Sequence, residues 1–187
     1  MRVKEYHNLI IRKYPYAESL NKRLLKDAES LLESHPSSGF TNVHGKRTSQ
    51  IYEHSTNVQK LVGWILNEYR YDKSIQGWSP DDKYIKRRVG VWLARYNKGD
   101  YTQKHHHRPH TWGFVYFVNC PKGASPLVFP TSGKRIKAEE GKVVIFDAQV
   151  LHEVPKNKCD NRIVCAGNVT SWTEGFASPY DSAPINI

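Results

Sequence analysis

The apolar period changes once along this chain, and the change limits what it can fold into. Before residue 89, Leu20, Leu24, Ala28, Leu31 and Leu32, and then Val58, Leu61, Val62, Ile65 and Tyr69, recur at three- and four-residue spacing. Stripes of that kind predict two amphipathic helices. The first is expected over residues 19–34 with Ser19 as its cap, and the second is opened by Ser55 or Asn57. From Val89 onward the pattern shortens. Residues 89–96, 112–119, 126–129, 142–146 and 162–169 read as strands, separated by Gly- and Pro-bearing turns such as Pro121-Lys122-Gly123. Helices first and many short strands afterwards predict an α+β chain, in which N-terminal helices support one face of an antiparallel barrel or jelly roll.

The expected organisation is a single domain over 1–187, with mainly helical support in 1–88, the β core in 89–170 and a turn-rich tail or lid in 171–187. Residues 37–39, 45–46 and 72–82 read as loops. No apolar run approaches the roughly 20 residues of a membrane span. The polar start, Met1 to His7, does not read as a secretory signal. Three cysteines, Cys120, Cys159 and Cys165, have no metal-type spacing, and an odd count suits reduced thiols. The expected setting is therefore cytoplasmic, without a membrane partner. The net charge of +10 lies mainly before residue 101, with a cluster at Lys83, Lys86, Arg87 and Arg88. No aromatic-interleaved basic motif accompanies it, so it reads as a solvated basic surface rather than a nucleic-acid interface.

The chemistry-bearing stretch is Lys104-His105-His106-His107-Arg108-Pro109-His110. His105 and His107 are one residue apart, so in an extended segment they project from the same side. His152 follows an apolar strand and could complete a set of three imidazoles, while Arg162 lies ten residues further on. Imidazole suits ferrous iron, whereas a closed structural zinc site would want a fourth ligand, usually sulfur. His7, His35, His44 and His54 sit singly in polar surroundings and read as ordinary surface residues. Asp147 and Glu153 flank His152 as candidate acceptors for a free imidazole N–H.

From Trp92 to about Asn168 the chain resembles the Fe(II)/2-oxoglutarate-dependent oxygenases of the prolyl-hydroxylase-like branch, and more narrowly the small oxygenases of this type in cyanobacteria and their phages. The carrying residues are Trp92, Tyr96 to Asp100, His105 to His107, Gly113 to Asn119, Pro126 to Phe129, Gly141 to Phe146, His152 to Val154 and Asn161-Arg162. The resemblance implies a double-stranded β-helix (jelly-roll, cupin-like) core. It implies that His105, His107 and His152 hold Fe(II), that Arg162 binds the distal carboxylate of 2-oxoglutarate, and that Tyr96 lines the co-substrate pocket. The implied activity is hydroxylation of a carbon, with O2 consumed and succinate and CO2 released. Ascorbate is an optional auxiliary reductant, and the setting is the host cytoplasm if the chain is phage-encoded. By the same analogy the substrate is a prolyl or other amino-acid side chain, or a small metabolite.

Three positions depart from the family pattern. His107 stands where a carboxylate ligand is usual, Phe117 where prolyl hydroxylases show a tyrosine, and Val164 where many relatives carry a serine partner for the carboxylate. Asn168, six residues past Arg162, replaces the second basic residue of nucleobase-repair members, which counts against a nucleic-acid substrate. Two alternatives stay open. One is a three-histidine cupin dioxygenase that does not use 2-oxoglutarate, since Gly99-x5-His105-x-His107 fits the first half of that signature. The other is a non-catalytic jelly-roll binding module.

Overall fold

A computed structural model of the protein describes residues 9–39, 41–70 and 85–173. The strands are β1 (Ile10–Lys13), β2 (Val43–His44), β3 (Lys46–Arg47), β4 (Ile85–Tyr96), β5 (Tyr101–His105), β6 (Trp112–Asn119), β7 (Leu127–Phe129), β8 (Lys134–Ile136), β9 (Lys142–Asp147), β10 (His152–Val154) and β11 (Arg162–Thr173). Two helices, α1 (Ala17–Ser34) and α2 (Thr56–Arg70), and a short 3₁₀ turn at Tyr52–His54 complete the described elements. A six-stranded sheet runs β1-β9-β6-β11-β4-β3 and a five-stranded sheet β2-β5-β10-β7-β8. Every named pairing is antiparallel.

Period-two alternation divides the six-stranded sheet into two buried faces. Val91 and Leu93 of β4, Trp112, Phe114 and Tyr116 of β6, Val143 and Ile145 of β9 and Cys165 of β11 join Leu20, Leu24, Leu61 and Ile65 of the helices in one cluster. Their neighbours in sequence, Trp92, Ala94, Phe117, Val144, Phe146, Val164 and Ala166, face the smaller sheet with Leu127, Phe129 and Val154. A sheet covered on both faces needs near-continuous apolar strands, and β6, Trp-Gly-Phe-Val-Tyr-Phe-Val-Asn, is such a strand. Gly167 lets β4, β11 and Phe114 close up, because a Cβ there would lie 2.6 Å from both the Gly90 carbonyl oxygen and the Phe114 ring.

The helix starts differ from expectation. α1 begins at Ala17, and Ser19 lies inside its first turn with Oγ donating to the Tyr16 carbonyl at 3.2 Å rather than capping. At α2 the Ser55 Oγ does cap, accepting the Val58 N–H at 3.0 Å, while its own proton goes to Asp27 Oδ2 at 2.5 Å. Residues 45–46, read from sequence as loop, belong with Arg47 to a crossing between sheets. β2 pairs with β5 in one sheet, β3 with β4 in the other, and Gly45 joins them. A Cβ at Gly45 would stand 2.7 Å from the Arg95 carbonyl oxygen, so the crossing needs glycine. β4 and β11 extend beyond their expected limits, to Ile85 and Thr173. The loop 72–82, His7 and the tail beyond Thr173 lie outside the described residues. No helix among the described residues is long and apolar enough to cross a membrane.

Candidate metal centre and its cavity

His105 and His152 are direct cross-strand partners in the β5–β10 pairing. Opposed residues on one face of an antiparallel pair bring their side chains together, and here the two rings stand 4.3 Å apart. His107 lies two residues past His105, where its N–H donates to the Ala148 carbonyl at 2.7 Å. The exposure pattern alternates, with His106 exposed between two half-buried histidines. One ring nitrogen from each of His105, His107 and His152 falls within 4.8 Å of the other two. Sequence reasoning named these three, and the structure brings them together.

Backbone carbonyls settle which nitrogens face inward. His105 Nδ1 lies 2.7 Å from the Gln103 oxygen and His152 Nδ1 lies 3.0 Å from the Val150 oxygen. An imidazole that donates its Nδ1 proton outward presents an Nε2 lone pair inward. His107 Nε2 and His152 Nε2 are 3.0 Å apart, so without an ion one proton must lie between them, and the His107 Nε2–H supplies it. Burial, then the mutual repulsion of the imidazolium forms, pushes His107 down to about 2, and burial first and His105 second push His152 down to about 3. Burial also lowers His105. The cluster is therefore a set of neutral, aimed donors at ordinary pH, which suits a borderline divalent cation. Asp147 and Glu153 do not orient these rings. Asp147 Oδ1 accepts the Gln149 N–H at 2.7 Å, and backbone carbonyls hold two of the three imidazoles.

The same cavity continues to Arg162. It is narrow, about 40 Å³, and its walls include Trp92, Tyr96, Thr102, Leu127, Val154, Val164 and Ala166. Arg162 is fully buried. Its Nε donates to the Ser125 carbonyl at 3.0 Å, and its Cζ lies 4.7 Å from the Tyr96 ring centroid and 5.6 Å from that of Phe117. Its two terminal nitrogens are buried with no partner among the described residues. Burial depresses the guanidinium pKa, opposed by the Tyr96 hydroxyl and by Cys120 and Cys159, and no carboxylate stands among the groups that act on it. Leaving a buried cation unpaired is costly, and a planar fork of N–H donors matches a carboxylate.

A polar knot, which the sequence did not signal, fixes this end. Asn157 is buried, donates to the Tyr96 and Cys159 carbonyls and accepts the Ser125 N–H at 2.9 Å, so the carbonyl that anchors Arg162 is itself anchored. Asn161, in left-handed conformation at φ 59°, turns the chain into β11. Tyr96 is the cross-strand partner of Arg162, and its hydroxyl pairs with Thr102 Oγ1 at 2.8 Å. Phe117 offers only its ring. His106 accepts the Arg108 N–H and His110 pairs with Thr170, so neither joins the three. His35 packs against His54 with its ring tilted by 39°, and His44 stacks on Tyr101, each pair at 4.2 Å, rather than standing singly. A roomier groove of about 660 Å³ lies between α1 and residues 120–124 and 137–140, but Lys13 and Glu139 on its wall pair at 2.9 Å. Size does not mark the site; the convergence of three imidazoles and an unanswered guanidinium does.

No family model matches the chain, and no curated protein is similar to it in sequence. Solved structures are similar in fold. A Pseudomonas putida prolyl-4-hydroxylase has a TM-score of 0.69 at 15% identity, over 88% of this chain and 92% of that one. A viral collagen prolyl hydroxylase from Paramecium bursaria Chlorella virus-1, solved as its 2OG complex, has a TM-score of 0.59 at 15% identity, over 86% and 94%. The non-heme alpha-ketoglutarate-dependent epimerase SnoN of nogalamycin biosynthesis has a TM-score of 0.64 at 11% identity, over 95% and 87%. The paired antiparallel sheets of this chain thus form the jelly-roll core shared by prolyl hydroxylases and other 2-oxoglutarate–Fe(II) oxygenases.

Proposed function

We propose that the chain is a single-domain Fe(II)- and 2-oxoglutarate-dependent dioxygenase that hydroxylates a carbon of its substrate and releases succinate and CO2, with the N-terminal helices serving as support for the β core. The observation that carries this reading is Arg162, whose two terminal nitrogens are buried without a partner in the cavity that also holds three inward-facing imidazoles. A metal site alone would not require such a group. A co-substrate with a chelating head and a distal carboxylate would answer both ends.

In this reading His105, His107 and His152 would hold the iron, and the Gln103 and Val150 carbonyls keep two of the rings in the required tautomer. Iron, when bound, supplies the redox chemistry with O2 that no side chain can perform. For His107 to offer Nε2 to the ion, its proton would have to sit on Nδ1 instead. Arg162 receives the distal carboxylate of 2-oxoglutarate, held on Ser125 and against Tyr96. Trp92, Val164 and Ala166 keep water from the space between. The substrate class favoured on the resemblance is an amino-acid side chain or small metabolite rather than nucleic acid.

The absence of a carboxylate among the three ligands favours one competing reading, a three-histidine dioxygenase that needs no 2-oxoglutarate. Anaerobic addition of Fe(II) and then 2-oxoglutarate separates the two. The proposal expects a visible charge-transfer band only after both additions, weakened in Arg162→Ala. Iron binding with no response to 2-oxoglutarate would favour the competing dioxygenase, and no iron binding would leave a binding module.

A further inference from the structure

A second arginine is mounted in the same way as Arg162 on the same face of β4. Tyr96 and Trp92 both line the cavity. Arg162 stacks over Tyr96, while Arg47 of β3 places its Cζ 4.4 Å from the centroid of Trp92. Trp92 in turn stands 6.2 Å from the His107 ring. Stacking occupies the face of a guanidinium and leaves its edge N–H groups free for in-plane recognition.

Those edges are underused. The hydrogen bond made by the Arg47 side chain is a long one, from a terminal nitrogen to Ser37 Oγ at 3.3 Å. No acidic side chain among the described residues pairs with it. Burial lowers its pKa, opposed only by Tyr96, and its positive charge is felt at His105. Arg47 is half-buried where Arg162 is fully buried, so it remains open to an arriving molecule. The position is also expensive to build, because it depends on the sheet crossing that only Gly45 permits.

We infer that Arg47, seated on Trp92, receives a carboxylate of the primary substrate, which makes that substrate an organic acid anion placed beside the three histidines. The inference rests on the oxygenase reading, since it needs Arg162 to be taken by the co-substrate. The carboxylate belongs either to a small free acid or to an acidic peptide side chain, and the two sources are separable.

The test uses the full chain loaded with Fe(II) and saturating 2-oxoglutarate under argon, with binding read by calorimetry. The probes are N-acetylglycine, its carboxamide, and an end-blocked Gly-Asp-Gly peptide beside its Gly-Asn-Gly counterpart. The expected result is that one acid binds about tenfold more tightly than its amide, and that Arg47→Gln removes the preference. Preference for N-acetylglycine identifies a small acid, and preference for the Asp peptide an acidic side chain. Should Arg47→Gln melt early, Arg47→Lys retains the charge without the fork and should retain only part of the preference. Equal binding of each acid and its amide, or no binding of any probe, would reduce Arg47 to packing on Trp92 and overturn the inference. The chelate band before probe addition reports separately on the oxygenase reading. If it fails to form, the same probe pairs on the metal-free protein still decide whether Arg47 is an anion site.

Discussion

The two faces of the six-stranded sheet are buried to the same degree and built for different ends. On the helix side the polar groups answer one another. The Tyr116 hydroxyl donates to Asn21 Oδ1 at 2.7 Å, and Asn21 Nδ2 donates to the Val118 carbonyl at 2.8 Å. Two groups are exceptions there, Trp112 Nε1, whose ring is stacked on Tyr69, and Arg95 Nε. On the barrel side the Arg162 fork and Asn168 Oδ1 are left unanswered, and two imidazole nitrogens are pressed together at 3.0 Å. The first face maximises stability, whereas the second holds groups that are costly without a ligand. Adjacent residues of the same strands supply the two faces, so substitutions one position apart should separate stability from ligand binding.

The sharpest break of this contrast is His152→Ala. It should lower Fe(II) affinity by at least about a hundredfold, more than the loss of an outer-shell partner typically costs, with little change in the urea midpoint. Equilibrium dialysis against Fe(II) under argon checks it. Leu24→Ala, on the opposite face and fully buried, should do the reverse: a loss of about 2–5 kcal/mol in urea unfolding with an unchanged iron–2-oxoglutarate band. Arg162→Met should weaken 2-oxoglutarate by about a hundredfold while leaving the thermal midpoint equal or higher, because a buried unpaired charge is exchanged for hydrocarbon. A drop in both would mean that Arg162 is structural.

Acid tests the same face through its histidines. With pKa values near 2 and 3 in the fold for His107 and His152, only the unfolded chain gains protons as pH falls below about 6.5. Their neutral forms are fully accommodated above that pH, and stability is lost progressively below it. Between pH 7 and 5 the metal-free protein should lose about 2 kcal/mol per imidazole, and His107→Phe should lose correspondingly less, as read from urea midpoints at the two pH values. The smallest effect belongs to the helix side, where Ser55→Ala removes the α2 cap and should cost about 1 kcal/mol, measurable by chemical unfolding with metal binding untouched.

The contrast also explains what could be read from the sequence. Strand β6 was legible to the residue, because both of its faces are apolar and its ends are marked by polar residues. β1, β2, β3 and β8 are two to four residues long, too short to show a period, and they form only by pairing along an existing edge. The three histidines were legible because a period of two is local and an apolar strand announces its end. Arg47 was not, since its place over Trp92 depends on where the chain crosses from one sheet to the other. The roles sketched for Asp147 and Glu153 failed for a related reason: proximity in sequence did not reveal that backbone carbonyls already held the rings.

The pairing of β4 with β11 joins residues 85 and 173, running in register from Ile85–Thr173 to Tyr96–Arg162. His105, His107 and His152 all lie inside the loop that this pairing closes. Closing so long a loop is entropically slow, and topologies dominated by such contacts fold slowly. The metal donors meet across β5 and the three-residue β10, a pairing too short to hold before the larger sheet is packed against it. Metal should therefore leave the refolding rate nearly unchanged and act on the other limb of the chevron, slowing unfolding and lengthening the lifetime of the native state.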